Sequence, residues 1–358
     1  MSEIIAEFAR RIRHAAATKT PLRLSGGGSK DFYGGPLFGE ILDTGCYAGI
    51  VSYDATELVI TARCGTPLKQ IEAALAAEGQ MLAFEPPHFG PGATLGGAIA
   101  AGFSGPRRAT AGSVRDFVLG VKLMDGRGEV MNFGGQVMKN VAGFDVSRLM
   151  VGALGTLGLL LEVSLKVLPR PAAEATLRLE APQGKALDLM NGWAGRPLPI
   201  SATCWEARDD GEILTLRLSG ADAAVAAARG LIGGESVADA PAFWCELREQ
   251  QAAFFAAEMP LWRLSLPSVA PPLDLPGAQL IEWGGSQRWL ASGAPAEHIR
   301  AAVTQAGGHA TLFRSSIEAR GASAFQELPA PLMALQKKLK QAFDPAGILN
   351  PGRMVREF

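Results

Sequence analysis

The sequence predicts an α+β protein: a domain built around glycine turns over residues 1–171, a smaller α+β domain over 172–330, and a helical tail over 331–358. Three observations carry this. Short apolar runs in the first half are punctuated by two glycine-rich turns, Ser25–Ser29 and residues 93–105. Pro169-Arg170-Pro171 then breaks the chain. Beyond that break glycine turns thin out and Ala-rich helical stretches interleave with strand-like runs, the pattern of an antiparallel sheet with helices on one face.

A chain of 358 residues suits two domains better than one. Hydrophobic residues make up 48% and charged residues 19%, so a sizeable core can form and disorder is not expected. The net charge of −1 supplies no concentrated positive field, which argues against nucleic acid or an anionic membrane as partner. Cys46, Cys64, Cys204 and Cys245 are widely spaced and lack a C-x-x-C pair, so no disulfide framework, metal site or iron–sulfur cluster is expected. Glu3 and Glu7 stand where a secretory signal would be basic, and no apolar run reaches membrane-spanning length. A cytoplasmic location without direct membrane insertion follows as the expectation.

The elements read in order. Residues 2–16 form an amphipathic helix, with Ile5, Phe8 and Ile12 on one face and Ser2 as cap. Residues 21–24 run as a strand into Gly26-Gly27-Gly28, and 41–43, Val51 and 58–60 continue the β pattern. Thr66-Pro67 opens a helix with proline at its first position, Leu68, Ile71 and Leu75 facing inward and Gly79 ending it. The central stretch 93–105 reads as a turn of Gly and small residues whose backbone can approach a ligand closely. Two such turns in one domain suit the two ends of a long phosphate-bearing ligand. Residues 117–124 and 130–133 form strands about Asp125-Gly126; 146–151 is a short helix capped by Asp145; 161–167 alternates as a half-buried strand. In the second domain 213–218, 262–266 and 280–283 read as strands, 221–231 and 296–306 as helices, with no internal repeat. The tail helix carries Leu335, Leu339 and Phe343 and ends in the turn 344–347. There is no G-x-x-x-x-G-K-[ST] for a P-loop and no strand–G-x-G-x-x-G–helix unit for a nicotinamide dinucleotide.

Five segments resemble the vanillyl-alcohol-oxidase (PCMH-type) FAD-binding family. Residues 21–29 resemble its first flavin-pyrophosphate loop, and 93–97 (A-T-L-G-G) its second, A-T-I-G-G. Residues 112–120 resemble G-x-x-R-D-N-V-L-G. Residues 143–152 and 155–163 together resemble the family's single segment G-Y-D-L…G-T-L-G-I-I-T-E-V, and 344–352 resemble D-P-x-G-I-L-N-P-G. Within the family, 85–88, 105–108, 137–143 and 307–311 are similar to the FAD-binding subunits of bacterial glycolate oxidases.

The resemblance implies a two-subdomain FAD-binding domain, an α+β cap domain and a tail that returns to the FAD domain. It implies FAD as cofactor. Ser29-Lys30-Asp31 stands where several relatives carry a tethering His, so a non-covalent flavin is expected. The implied cofactor residues are Ser25, Gly26, Gly27, Gly28, Ser29, Pro87, Thr94, Gly96, Gly97, Ala101, Gly102, Gly112, Ser113, Arg115, Asp116, Gly158, Leu159, Leu160 and Asn350. The turns at 26–29 and 94–97 would aim N–H groups at the pyrophosphate. Residues 98–105 would lie flat against the isoalloxazine, and the backbone of Leu159 and Leu160 would face the adenine end.

The implied function is that of a FAD-binding subunit of a multi-subunit glycolate oxidase. It oxidises a small 2-hydroxy acid, glycolate, to glyoxylate, and electrons pass to a larger FAD-binding catalytic subunit and an iron–sulfur subunit. Any contact with the inner membrane would be peripheral, through those partners. Two alternatives stand beside it: a stand-alone FAD-dependent 2-hydroxy-acid dehydrogenase, and a non-catalytic flavin-binding assembly subunit. Relatives that oxidise hydroxy acids carry H-A-G-D-G-N-x-H in the second domain, whereas here His298 and His309 lack those neighbours. His88 is the remaining catalytic candidate, with a plain structural histidine as the other reading. Arg107-Arg108 steers an anionic substrate, docks a partner or is solvated; Arg115-Asp116 braces the loop; Lys139-Asn140 faces the flavin. Trp283 and Trp289 belong to a core or an interface, and Phe243, Trp244, Phe254, Phe255 and Trp262 suggest an apolar face for other subunits.

Overall fold

The computed structural model describes residues 3–135, 145–208, 211–315 and 323–357. They form two compact units, one of residues 1–103, 113–169 and 327–358, the other of 104–112 and 170–326. The chain changes unit near 170 and returns with the tail at 327, and it also makes one earlier excursion. Residues 104–112 leave the first unit and belong to the second.

In the first unit the helix Glu3–Thr18 buries Ile5, Phe8, Ala9, Ile12 and Ala15, the stripe that its i, i+3, i+7 spacing dictates. These side chains share one core with Leu22, Leu42, Leu159, Ile348 and Leu349. Strands Leu22–Ser25 and Glu40–Asp43 pair in parallel. The tail joins them: the Leu22 N–H donates to Ile348 O at 2.7 Å and the Asn350 N–H to Leu22 O at 2.9 Å. An antiparallel sheet follows in the order Ile50–Asp54, Val59–Arg63, Leu159–Lys166, Val118–Met124, Val130–Gly134. Its central strand buries Leu161, Val163 and Leu165 and leaves Glu162, Ser164 and Lys166 half-buried, a period of two. Pro67 is the cap before the helix Leu68–Ala77, not its first residue.

The stretch 93–105 is not an open turn. It contains a helix, Leu95–Ala101, capped by Thr94, whose Oγ1 accepts from the Gly97 N–H, and ended by Gly102 at φ 69°. Burial of Leu95 and Ile99 outweighs the roughly 1 kcal/mol that each of Gly96 and Gly97 costs a helix.

The second unit is an eight-stranded antiparallel sheet. Its order is Glu235–Ser236, Ala173–Glu180, Gly211–Gly220, Ile200–Arg208, Ala278–Glu282, Gln287–Ala291, Leu261–Ser265, His309–Arg314. Numbered within each half, this is 4-1-3-2 followed by 2-3-1-4, so two halves of β-α-β-β-α-β type meet along their second strands. A structural repeat is therefore present although the residues show none. In the first half helices Gln183–Ala194 and Asp222–Ile232 cover one face through Leu187, Met190, Val225 and Ala228. In the second, Ala296–Gln305 does so through Ile299 and Val303. The proline-rich segment 266–277 stands where the other helix would be, and the fully buried Arg288 holds it, donating to Ala270 O and, at 2.7 Å, to Pro271 O.

The aromatic cluster expected to face other subunits is largely interior: Trp244, Phe255 and Trp262 are buried. Trp262 packs with Ile299 and Val303. The rings of Phe255, Trp289 and Phe313 meet edge-on, so Trp289 belongs to the core.

Candidate functional site

A cleft opens in the first unit. Ser25, Gly26, Gly27, Gly28, Ser29, Thr94, Gly96, Gly97, Ala101, Gly158, Leu159, Leu160 and Asn350 line it. Pro87, His88, Gly102, Gly112, Ser113, Arg115 and Asp116 are not among its lining residues.

The two glycine turns differ in what they offer. Among the described residues, the N–H groups of Gly26, Gly27, Gly28 and Ser29 have no acceptor within the chain. Four successive donors without an acceptor on a cleft wall are the kind of groups that suit an anion. The second turn is different: the Leu95 N–H donates to Thr66 O at 2.9 Å and the Gly96 N–H to Cys64 O at 2.8 Å. The Gly97 N–H donates to Thr94 Oγ1 at 3.2 Å. These amides are engaged in holding the helix, so the expectation that they point at a pyrophosphate is corrected. Gly27 also has a packing role. A Cβ there would fall 1.4 Å from Gly92 O, so the turns interlock backbone against backbone. Gly28, at φ 71°, needs its freedom for the turn itself.

The strand Val59–Arg63 ends opposite Glu162, so Leu159 and Leu160 run past it and form part of the cleft wall. Asn350 lines the cleft, yet its side chain is engaged: Oδ1 accepts from the Leu24 N–H at 2.8 Å and Nδ2 donates to Leu154 O at 2.7 Å. It braces three segments from a backbone at φ 41°.

The remaining candidates have local partners. His88 is buried, with Nε2 3.0 Å from Glu72 Oε1 on the helix Leu68–Ala77. Asp116 accepts from both the N–H and the hydroxyl of Ser113 at 2.8 Å, which braces the turn Val114–Phe117 and leaves Arg115 exposed. Gly102 backs onto Gly152. Gly112 lies in the segment that joins the second unit. There Arg107 pairs with Glu174 at 2.7 Å, Arg108 stacks over Trp283 at 4.4 Å, and Trp283 Nε1 donates to Gly105 O at 3.1 Å. Neither arginine is a simple solvated charge. Burial pushes the Glu174 carboxyl up, but hydrogen bonds from Ser219 and Arg107 overcome it and hold the group below its ordinary value. His298 lies on the helix Ala296–Gln305 and His309 on the last strand, where burial and the Arg263 charge push its imidazole down. Lys139 and Asn140 lie outside the described residues.

Sequence reasoning missed Lys30, Cys64 and Arg353 on the cleft wall. Lys30 is buried and donates to His88 O at 3.1 Å, and Arg353 donates to Asp31 O and Gly35 O. Lys30, next to the glycine turn in the chain, was a readable signal; Arg353 is carried to the cleft by the fold. Cys64 had none, because only the fold carries it to the base of the second turn. Burial, then the Glu162 charge, raise its thiol well above the ordinary range. Four free amides with Lys30 and Arg353 nearby fit a diphosphate-bridged cofactor better than a neutral ligand.

Comparison with known proteins agrees. The FAD binding domain family matches residues 3–134, and the C-terminal domain of FAD linked oxidases matches 324–354. Glycolate oxidase subunit GlcE of Escherichia coli (strain K12) is 52% identical over 347 residues, covering 97% of this chain and 96% of that protein. Glycolate oxidase subunit GlcD of Bacillus subtilis (strain 168) is 39% identical over 84 residues, 24% of this chain and 18% of that protein. An alkyldihydroxyacetonephosphate synthase structure superposes with a TM-score of 0.65 at 15% identity, over 96% of this chain and 74% of that one, which speaks to the fold alone. Among the described residues no helix is long and apolar enough to cross a membrane, and no group of three His, Cys, Asp or Glu could hold a metal ion.

Proposed function

The chain belongs to the FAD-binding family of the glycolate oxidase subunit GlcE, and on that premise we propose that it is the flavin-holding, electron-relaying subunit of a glycolate oxidase. The observation that carries this is the reach of the likeness, which takes in both units and the tail rather than the cofactor cleft alone. The FAD is proposed to bind non-covalently.

FAD, when bound, supplies the redox chemistry. The chain's residues supply the seat. The amides of Gly26 to Ser29 receive the diphosphate, with Lys30 and Arg353 adding positive charge beside it. Gly97, Ala100 and Ala101 give a wall of small side chains from the helix Leu95–Ala101, and Leu159 and Leu160 close another side. Oxidising glycolate to glyoxylate also requires a group that takes the hydroxyl proton. On the cleft wall Asp31 is paired with Arg23, and the Cys64 thiol is held protonated by burial. His88 is turned to Glu72. We place that proton transfer in a larger FAD-binding catalytic subunit, and the onward electron path in an iron–sulfur subunit. The assembly is then cytoplasmic, at most peripheral at the inner membrane.

The test is anaerobic addition of glycolate to the isolated chain and to the complex reconstituted with its partners, following flavin absorbance. Bleaching of this chain's flavin only in the complex is the expected result. Bleaching within seconds in the isolated chain would establish a stand-alone dehydrogenase. Full turnover by a complex whose copy of this chain lacks FAD would leave it an assembly role.

A further inference from the structure

We propose that the C-terminal helix Ala330–Phe343 docks another, non-identical subunit of the same oxidase through uncovered leucines flanked by lysines. This rests on the multi-subunit reading above. The helix is 14 residues long, yet Lys340 is its one buried residue, whereas Glu3–Thr18 buries its whole apolar stripe. Leu332 is 50% exposed and Leu335 53%, and Leu328, just before the helix, is 37% exposed. Leu332 and Leu335 stand three apart on the exposed side and the half-buried Leu339 follows four further on, the i, i+3, i+7 spacing that helices use to enter a groove on a partner.

The leucines sit on a fixed rod. Lys340 Nζ donates to Asp344 Oδ2, Thr156 O and Leu349 O, each at 2.8 Å, and clamps the C-terminal end of the helix to its unit. A frayed segment could fold its leucines back; a clamped one presents them.

Charge selects the occupant. The helix carries Lys337, Lys338 and Lys340 and no carboxylate, in a chain whose net charge is −1. Lys340 is paired with Asp344; Lys337 and Lys338 are exposed, with Lys338 one turn beyond Leu335. A second copy packed face to face would set lysine against lysine. An apolar groove with a carboxylate rim on a different subunit satisfies both the leucines and the lysines.

The experiment titrates purified full-length chain, FAD-loaded, against the purified partner subunits. Leu332→Glu/Leu335→Glu is expected to weaken association about 100-fold, the scale of losing two anchor residues, with FAD content and melting temperature unchanged. Lys337→Glu/Lys338→Glu is expected to weaken it about tenfold at low salt and less at high salt. Unchanged association of the leucine variant overturns the docking proposal alone. So does self-association of the wild-type chain, or its binding to phosphatidylglycerol vesicles, if the leucine variant abolishes it while partner binding persists. A wild-type chain that never associates with the partners overturns the multi-subunit reading and the docking proposal with it.

Discussion

Lys340 Nζ lies 2.8 Å from Asp344 Oδ2, one turn on, with both side chains closed to solvent. Burial pushes the Lys340 ammonium down and the Asp344 charge opposes it. Asp344 Oδ2 also accepts from the Leu349 N–H at 2.7 Å, so one pair fastens the tail that completes the small parallel sheet. Lys340→Met leaves a buried carboxylate uncompensated and should destabilise the protein by about 3–5 kcal/mol in denaturant titration. Lys340→Met/Asp344→Asn should recover part of that loss; equal loss in both would show that the charge is not what matters.

The interlocked turns give a graded prediction. Gly27→Val drives a Cβ into Gly92 O, 1.4 Å away, and should abolish FAD retention and lower stability by about 1–3 kcal/mol or more. Gly97→Val meets only Thr94 Oγ1, at 3.3 Å, so it should lose FAD with a smaller change in melting. Full flavin occupancy in Gly97→Val would mean that this face of the helix does not meet the cofactor.

FAD should dissociate on acid denaturation. Cys64 is on the cleft wall, but its buried thiol is held protonated and is a poor nucleophile, and the His88 ring is engaged by Glu72. Flavin colour that stays with the precipitated protein would show a covalent link.

His88→Ala removes a buried contact to a partly exposed carboxylate and should cost about 1–3 kcal/mol in stability. Turnover of the reconstituted complex should remain largely intact. Loss of turnover with FAD still bound would return His88 to the reaction.

Glu174 sets a pH dependence in the second unit. Its folded carboxyl titrates below the ordinary 4.5, so its stabilising effect is full above that pH and is lost as pH falls through the folded value. Glu174→Gln should flatten the acid limb of the stability curve and leave the region above pH about 5 without this slope. An unchanged acid limb would show that the pair with Arg107 carries no pH-dependent stability.

What the residues alone determined is local. Ile5, Phe8 and Ile12 recur at helical spacing and are buried as one stripe; Leu161, Val163 and Leu165 alternate and are buried as one strand face. Gly26-Gly27-Gly28 reaches backbone conformations that other residues resist, which suits a turn, and that turn keeps its amides. Periodicity and backbone freedom act within a few residues, so a sequence displays them. Tertiary structure decided what depends on distant partners. Leu95–Ala101 is a helix because its leucine and isoleucine are buried, and its first amides are engaged by Thr66 and Cys64, some thirty residues earlier in the chain. Arg107 belongs to the second unit because Glu174, 67 residues on, is brought to it. Leu335 recurs at helical spacing with Leu339 and Phe343 in the sequence, yet it stands 53% exposed. Whether a side chain is buried is a property of what packs against it, and only the closed chain specifies that.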